Sequence, residues 1–126
     1  MIRKPRYHAE ESLQIAYVQW LDLMIKMYPS SLLKLGFHCP NGGKRSIKTA
    51  MTLKRMGARA GVPDFQFHAP RNGKGGLIIE FKSAKGKLSP DQRDWIEYFL
   101  SINYLVLVTS SLNEAIEITR QHFNLK

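Results

Sequence analysis

The chain has 126 residues, 19 Lys plus Arg against 10 Asp plus Glu, and a formal net charge of +9. At roughly 100–200 residues per domain it reads as one folding unit, residues 1–126, able to bury a core without disulfides. An apolar fraction of 44% argues against wholesale disorder, and no apolar run approaches the roughly 18 residues of a membrane span.

The opening MIRKPRYHAEES lacks the apolar stretch of a secretory signal, and the lone Cys39 has no intrachain partner. Both features fit a cytoplasmic protein. Residues near Glu10 to Tyr28 predict an amphipathic helix, with Leu13, Tyr17, Trp20, Leu21 and Met24 at spacings of three and four. Leu33 to His38 carries a weak strand signal. A second helix is expected from Arg45 or Ser46 to Gly57, turning Ile47, Ala50, Met51 and Leu53 toward a core. Asp64-Phe-Gln-Phe-His alternates as a strand, and Arg71-Asn-Gly-Lys-Gly-Gly is a hairpin connection. Leu77 to Lys82 is a second strand.

Ser89, Pro90 and Gln92 spell a capping box opening a helix to Ser101, with Trp95, Ile96, Phe99 and Leu100 as its buried stripe. Tyr104 to Thr109 is a continuous apolar strand, expected to be buried on both faces. Ser111 and Glu114 form a second capping box opening a last helix through Phe123. This order predicts an α/β fold in which a small mixed sheet is flanked by helices.

Charge is distributed unevenly. Between Leu23 and Pro90 there are 13 basic residues and only two acids, Asp64 and Glu80. So basic a stretch points to a polyanion, with nucleic acid the commonest. On the second helix the exposed positions are Lys and Arg, suited to a phosphate backbone. Acids inside such a field weaken phosphate binding unless they hold a cation that reverses their effect.

Fifteen residues separate Asp64 from Glu80-Phe81-Lys82. Glu80 and Lys82 are two apart on a strand and project from one face, while Phe81 points into the core. If the two strands pair as a hairpin, Asp64, Glu80 and Lys82 converge at one end. Two carboxylates suit a hard divalent cation that activates water for phosphodiester hydrolysis, and an ammonium beside them can orient that water. His8, His38, His68 and His122 with Cys39 do not reproduce zinc-ligand spacing, and no Walker loop or dinucleotide fingerprint is present.

The words Pro63-Asp64 and Glu80-Phe81-Lys82 resemble the PD-(D/E)XK nuclease signature. Pro40-Asn41-Gly42-Gly43-Lys44-Arg45-Ser46, Met56 through Asp64, Glu80 through Ser83 and Gly86 through Trp95 resemble its VRR-NUC branch in particular. The resemblance implies a restriction-endonuclease-like core and a Mg²⁺- or Mn²⁺-dependent DNA endonuclease. It also implies a stand-alone, phage-type homodimer acting on four-way (Holliday) junctions or other branched DNA, in a bacterial host cytoplasm. Asp64, Glu80 and the Phe81 carbonyl would ligate the metal, and Lys82 would position or activate water. The family's additional glutamate maps onto Glu10, spaced four residues before Gln14, with the neighbouring Glu11 facing solvent. Gln92 matches the family's polar residue on the following helix, where it reaches the scissile phosphate or simply caps the helix. Asn41, Lys44, Arg45, Ser46, Lys48, Lys54, Arg55 and Arg59 are the expected DNA contacts. The competing reading is a non-catalytic nucleic-acid-binding module that uses the same basic face.

Overall fold

The computed structural model describes residues 6–40 and 46–126. Helix α1 (Arg6–Met27) leads through a 3₁₀ turn (Leu32–Leu35) into the short strand β1 (Phe37–His38). Helix α2 (Ile47–Arg55) follows, then the hairpin β2 (Phe65–Phe67) and β3 (Leu77–Phe81). Helix α3 (Pro90–Ser101) crosses to β4 (Leu105–Thr109), and α4 (Leu112–Phe123) closes the order. The sheet runs β1-β2-β3-β4, with the first two pairings antiparallel and β3–β4 parallel. This is the predicted small mixed sheet flanked by helices.

Local chemistry explains the hairpin. Asn72 and Gly73 both take positive φ, 52° and 77°, the pair of left-handed residues that a tight two-residue connection requires. Arg71 and Lys74 exchange backbone hydrogen bonds of 3.0 and 2.8 Å across it. The register then places Phe65 opposite Ile79 and Gln66 opposite Ile78.

Strand alternation sorts side chains onto two faces. Phe65, Phe67, Leu77, Ile79 and Phe81 join Tyr17, Leu21 and Met24 of α1 and Ala115 and Phe123 of α4 in one core. Each such fully buried side chain contributes roughly 1.5–3 kcal/mol relative to exposure. Tyr17 also ties the two helices, its hydroxyl 2.6 Å from Thr119 Oγ1. The opposite face carries Gln66, Ile78 and Glu80, all buried. Helix α3 lies on that side, with Gln92 bonded to Glu80 and the Phe99 ring 6.3 Å from that of His68.

Four expectations need correction. Helix α2 buries none of its residues, and Ile47 and Met51 are 82% and 61% exposed, because the sheet's faces are already covered by α1, α4 and α3. Strand β4 is an edge strand, half-buried rather than buried, with Val108 38% exposed. A continuous apolar run does not distinguish an edge from a central strand. On α3, Trp95, Ile96 and Phe99 are only half-buried and Leu100 is exposed, since a single helix covers that face. The α4 capping box forms by half: Ser111 accepts from Glu114 N–H, but Glu114 Oε1 instead accepts from the Thr109 hydroxyl at 2.7 Å.

Candidate active site

The hairpin places Asp64, just before β2, across from Glu80 on β3. Their groups interlock: Asp64 N–H donates to Glu80 Oε2 at 3.2 Å, and Phe81 N–H donates to Asp64 Oδ2 at 3.0 Å. Glu80 is 2% exposed, an expensive position for an ionised carboxylate. Burial, then the charge of Asp64, push its pKa from 4.5 to about 8, opposed by the Lys82 ammonium. Burial also raises Asp64, opposed by the Phe81 N–H, the hydrogen bond to Glu80 and the His38 charge. Two carboxylates in contact, one of them buried, bind one proton between them unless a cation takes its place.

Three further elements converge on this pair. From α1, Glu10 accepts a 3.1 Å hydrogen bond from Ser83 N–H, just past Lys82. From α3, Gln92 does two jobs at once. Its Oε1 accepts from Ser89 N–H at 2.8 Å in a complete capping box, while its Nε2 donates to Glu80 Oε1 at 3.0 Å. From β1, Cys39 N–H and His38 Nδ1 both donate to the Asp64 carbonyl, at 3.0 and 2.7 Å. His38 is the site residue that motif reasoning missed. Its only sequence signal was its place at the end of a weakly patterned strand.

The loop before Asp64 is clamped on both sides. Gly61 has φ +81° and lies so close to α3 that a Cβ would sit 2.6 Å from the Asp91 carbonyl carbon. Trp95 Nε1 donates to Ala60 O at 3.0 Å, and buried Gln66 donates to Pro63 O at 3.3 Å. The turn carrying Asp64 is thereby locked to the helix carrying Gln92.

Thus Asp64, Glu80 and Gln92 share one hydrogen-bond network, and Glu10 and Lys82 act on it through their charges, Glu10 on Asp64 and Lys82 on Glu80. Glu11 is exposed and outside that network. Ser46 just before α2, Lys48, Lys54 and Arg55 on it and Arg59 after it are all exposed. Ser46 caps α2, its hydroxyl accepting from Thr49 N–H at 3.1 Å. Asn41, Lys44 and Arg45 lie outside the described residues.

The donor set suits a hard cation. Among the described residues no three His, Cys, Asp or Glu side chains gather for a metal. Two carboxylates and the Phe81 carbonyl would therefore share the ion with water and phosphate oxygens, the habit of Mg²⁺. Ser83 Oγ, buried next to the Glu10 contact, has no hydrogen-bond partner, and a hydrated cation would supply one.

A carboxylate pair at the end of a β-hairpin, one buried and one half-buried, beside a lysine and a capped helix, is a nuclease-type arrangement on a restriction-endonuclease-like core. The profile of the VRR-NUC domain matches residues 6–112, and the chain belongs to that family. A solved structure described as a VRR_NUC domain protein superposes with a TM-score of 0.73 at 23% identity, covering 98% of this chain and 93% of that one. No curated protein matches. No helix among the described residues is long and apolar enough to cross a membrane.

Proposed function

We propose that this chain is a Mg²⁺- or Mn²⁺-dependent endodeoxyribonuclease that cuts branched DNA, four-way junctions foremost, as a homodimer. The observation that carries the reading is the contact between buried Glu80 and half-buried Asp64, two carboxylates that each lose stability by ionising without a cation. A bound Mg²⁺ would supply an activated water and neutralise charge on the reacting phosphate. Asp64, Glu80 and the Phe81 carbonyl hold that ion. Lys82 orients the attacking water and stabilises developing charge. Gln92 fixes the Glu80 carboxylate, and Glu10 holds the backbone just after Lys82.

Binding falls to the cations of α2 and the loop after it, Lys48, Lys54, Arg55 and Arg59, which make salt-dependent phosphate contacts. Branched DNA is supported by the resemblance to stand-alone VRR-NUC nucleases. The dimer is further supported by the unpartnered apolar side chains of α2, Ile47 and Met51.

The test is cleavage of labelled four-way-junction, flap, single-stranded and duplex DNA in Mg²⁺, Mn²⁺ or EDTA. Wild type should cut in either metal, junctions fastest, and not in EDTA. Lys82→Ala should lower the rate on the order of 10²–10⁴-fold, the range of a lost proton-transfer or charge-stabilising group. Asp64→Ala should abolish cutting while DNA binding persists. Tight binding by wild type with no cut on any substrate overturns the enzyme and leaves a binding module.

A further inference from the structure

Beside the carboxylates lies a cavity of about 360 Å³ between α1 and β1, lined by Glu11, Gln14, Ile15, Val18, Gln19 and His38. Its size falls at the low end of the roughly 300–1,000 Å³ typical of small-ligand sites. Its aliphatic lining is Ile15 and Val18, and the rest, apart from His38, hydrogen-bonds without positive charge: two carboxamides and one carboxylate. His38 closes the end nearest the site. Its Nδ1–H is engaged by the Asp64 carbonyl, so in the neutral ring Nε2 is the remaining acceptor.

The lining chemistry selects the occupant. A phosphate group is disfavoured, because Glu11 repels it and no described lining residue is Lys or Arg. A nucleobase fits each part. Its faces bury against Ile15 and Val18, and its edge meets the donors and acceptors of Gln14 and Gln19 and the acceptor of Glu11. Position agrees with this chemistry. Glu11 is adjacent in sequence to Glu10, and His38 is one hydrogen bond from Asp64.

We infer that this cavity is a nucleobase subsite, taking one unpaired base of a nucleotide flanking the cut. The inference rests on the nuclease reading and deepens it. A base held inside a continuous duplex enters the pocket only at the full cost of unpairing and unstacking, whereas one at a branch point, where pairing and stacking are interrupted, leaves the stack at lower cost. Branch selection would then arise next to the metal rather than on the basic helix.

The experiment uses a four-way junction carrying 2-aminopurine at each of the three nucleotides on either side of the mapped cut. Binding is followed with Ca²⁺ in place of Mg²⁺, so that no cutting occurs. With wild type, one position should brighten about threefold or more as its base leaves the stack. Ile15→Trp fills the cavity, and Gln19→Leu removes a lining amide. Each should reduce the rise by more than half while the melting temperature stays near wild type. Both residues are exposed, so neither substitution opens the core. If wild type cuts in Mg²⁺ but no position brightens, or if both variants brighten fully, the subsite is overturned and the nuclease stands. If wild type cuts no DNA in Mg²⁺, the nuclease reading fails and the subsite falls with it.

Discussion

At the residue scale, the chemistry of this protein is concentrated in one unfavourable contact. Glu80 sits on a strand whose other members are apolar, and its carboxylate meets Asp64, Gln92 and the end of the Asp64 turn. An unfolded glutamate titrates near 4.5, but the folded one holds its proton up to about 8. Between those values the folded state binds more protons, so metal-free protein should lose stability as pH rises from about 4.5 through about 8. His122 works in the opposite sense. Its buried ring has a lowered pKa, and stability is lost as pH falls below 6.5. The difference between wild type and Glu80→Gln isolates the glutamate. In EDTA, the melting-temperature advantage of Glu80→Gln over wild type should grow steadily from pH 5 to pH 8.5. Mg²⁺ should raise the wild-type melting temperature more at pH 8 than at pH 5.5, and barely move the variant. A pH-independent difference between the two proteins would show that the carboxylate contact is not under electrostatic stress.

At the element scale, the site depends on how α3 docks onto the loop before β2. The helix start is readable in the sequence, because Ser89, Pro90 and Gln92 satisfy each other's backbone groups locally. The docking is not readable there. It requires Gly61 against Asp91 and the Trp95 indole on Ala60, contacts that span 30 and 35 positions. Gly61→Ala adds a methyl where there is no room and a side chain at positive φ, which should cost about 1–3 kcal/mol of stability. It should also tilt Gln92 away from Glu80 and reduce cleavage on the order of tenfold or more. Gly57→Ala is the matched comparison. Its φ is also positive, +104°, but nothing lies within 4 Å of its Cβ position. That variant should cut at a rate near wild type when both are assayed well below their melting temperatures. Equal activity losses would trace the effect to backbone strain alone.

At the scale of the whole molecule, helix α2 buries none of its side chains among the described residues. Helix α2 carries Lys48, Lys54 and Arg55 but also Ile47 and Met51, and Met56 beyond its end is 77% exposed. A nine-residue helix is too short to be stable in water by propensity alone, so its apolar side chains need a surface. A second copy of the chain supplies one in the proposed dimer. Wild type should therefore run as a dimer in light scattering. A double variant, Ile47→Asp with Met51→Asp, should run as a monomer with an unchanged protomer fold, since neither side chain is buried. A wild-type monomer at micromolar concentration would rule out this assembly. A dimer that survives the double substitution would place the interface elsewhere.

Features closed by neighbours in the chain were determined by the sequence itself. The Asn72-Gly73 turn sets the hairpin register, and that register brings Asp64 opposite Glu80. Ser89 and Ser111 start α3 and α4, and the period of apolar residues marks α1 as a core helix. Tertiary structure decided whatever depends on distant segments. It placed Glu10 rather than Glu11 beside the carboxylates, bonded to Ser83 N–H across 73 positions and with its charge acting on Asp64. It gave Gln92 both the cap and the carboxylate, brought His38 to Asp64, and left α2 and the edge of β4 uncovered. Local pattern states that a side chain is apolar or polar. Only the assembled fold determines which surfaces remain for it to meet, because burial and hydrogen-bond partnership belong to pairs of segments and not to either one alone.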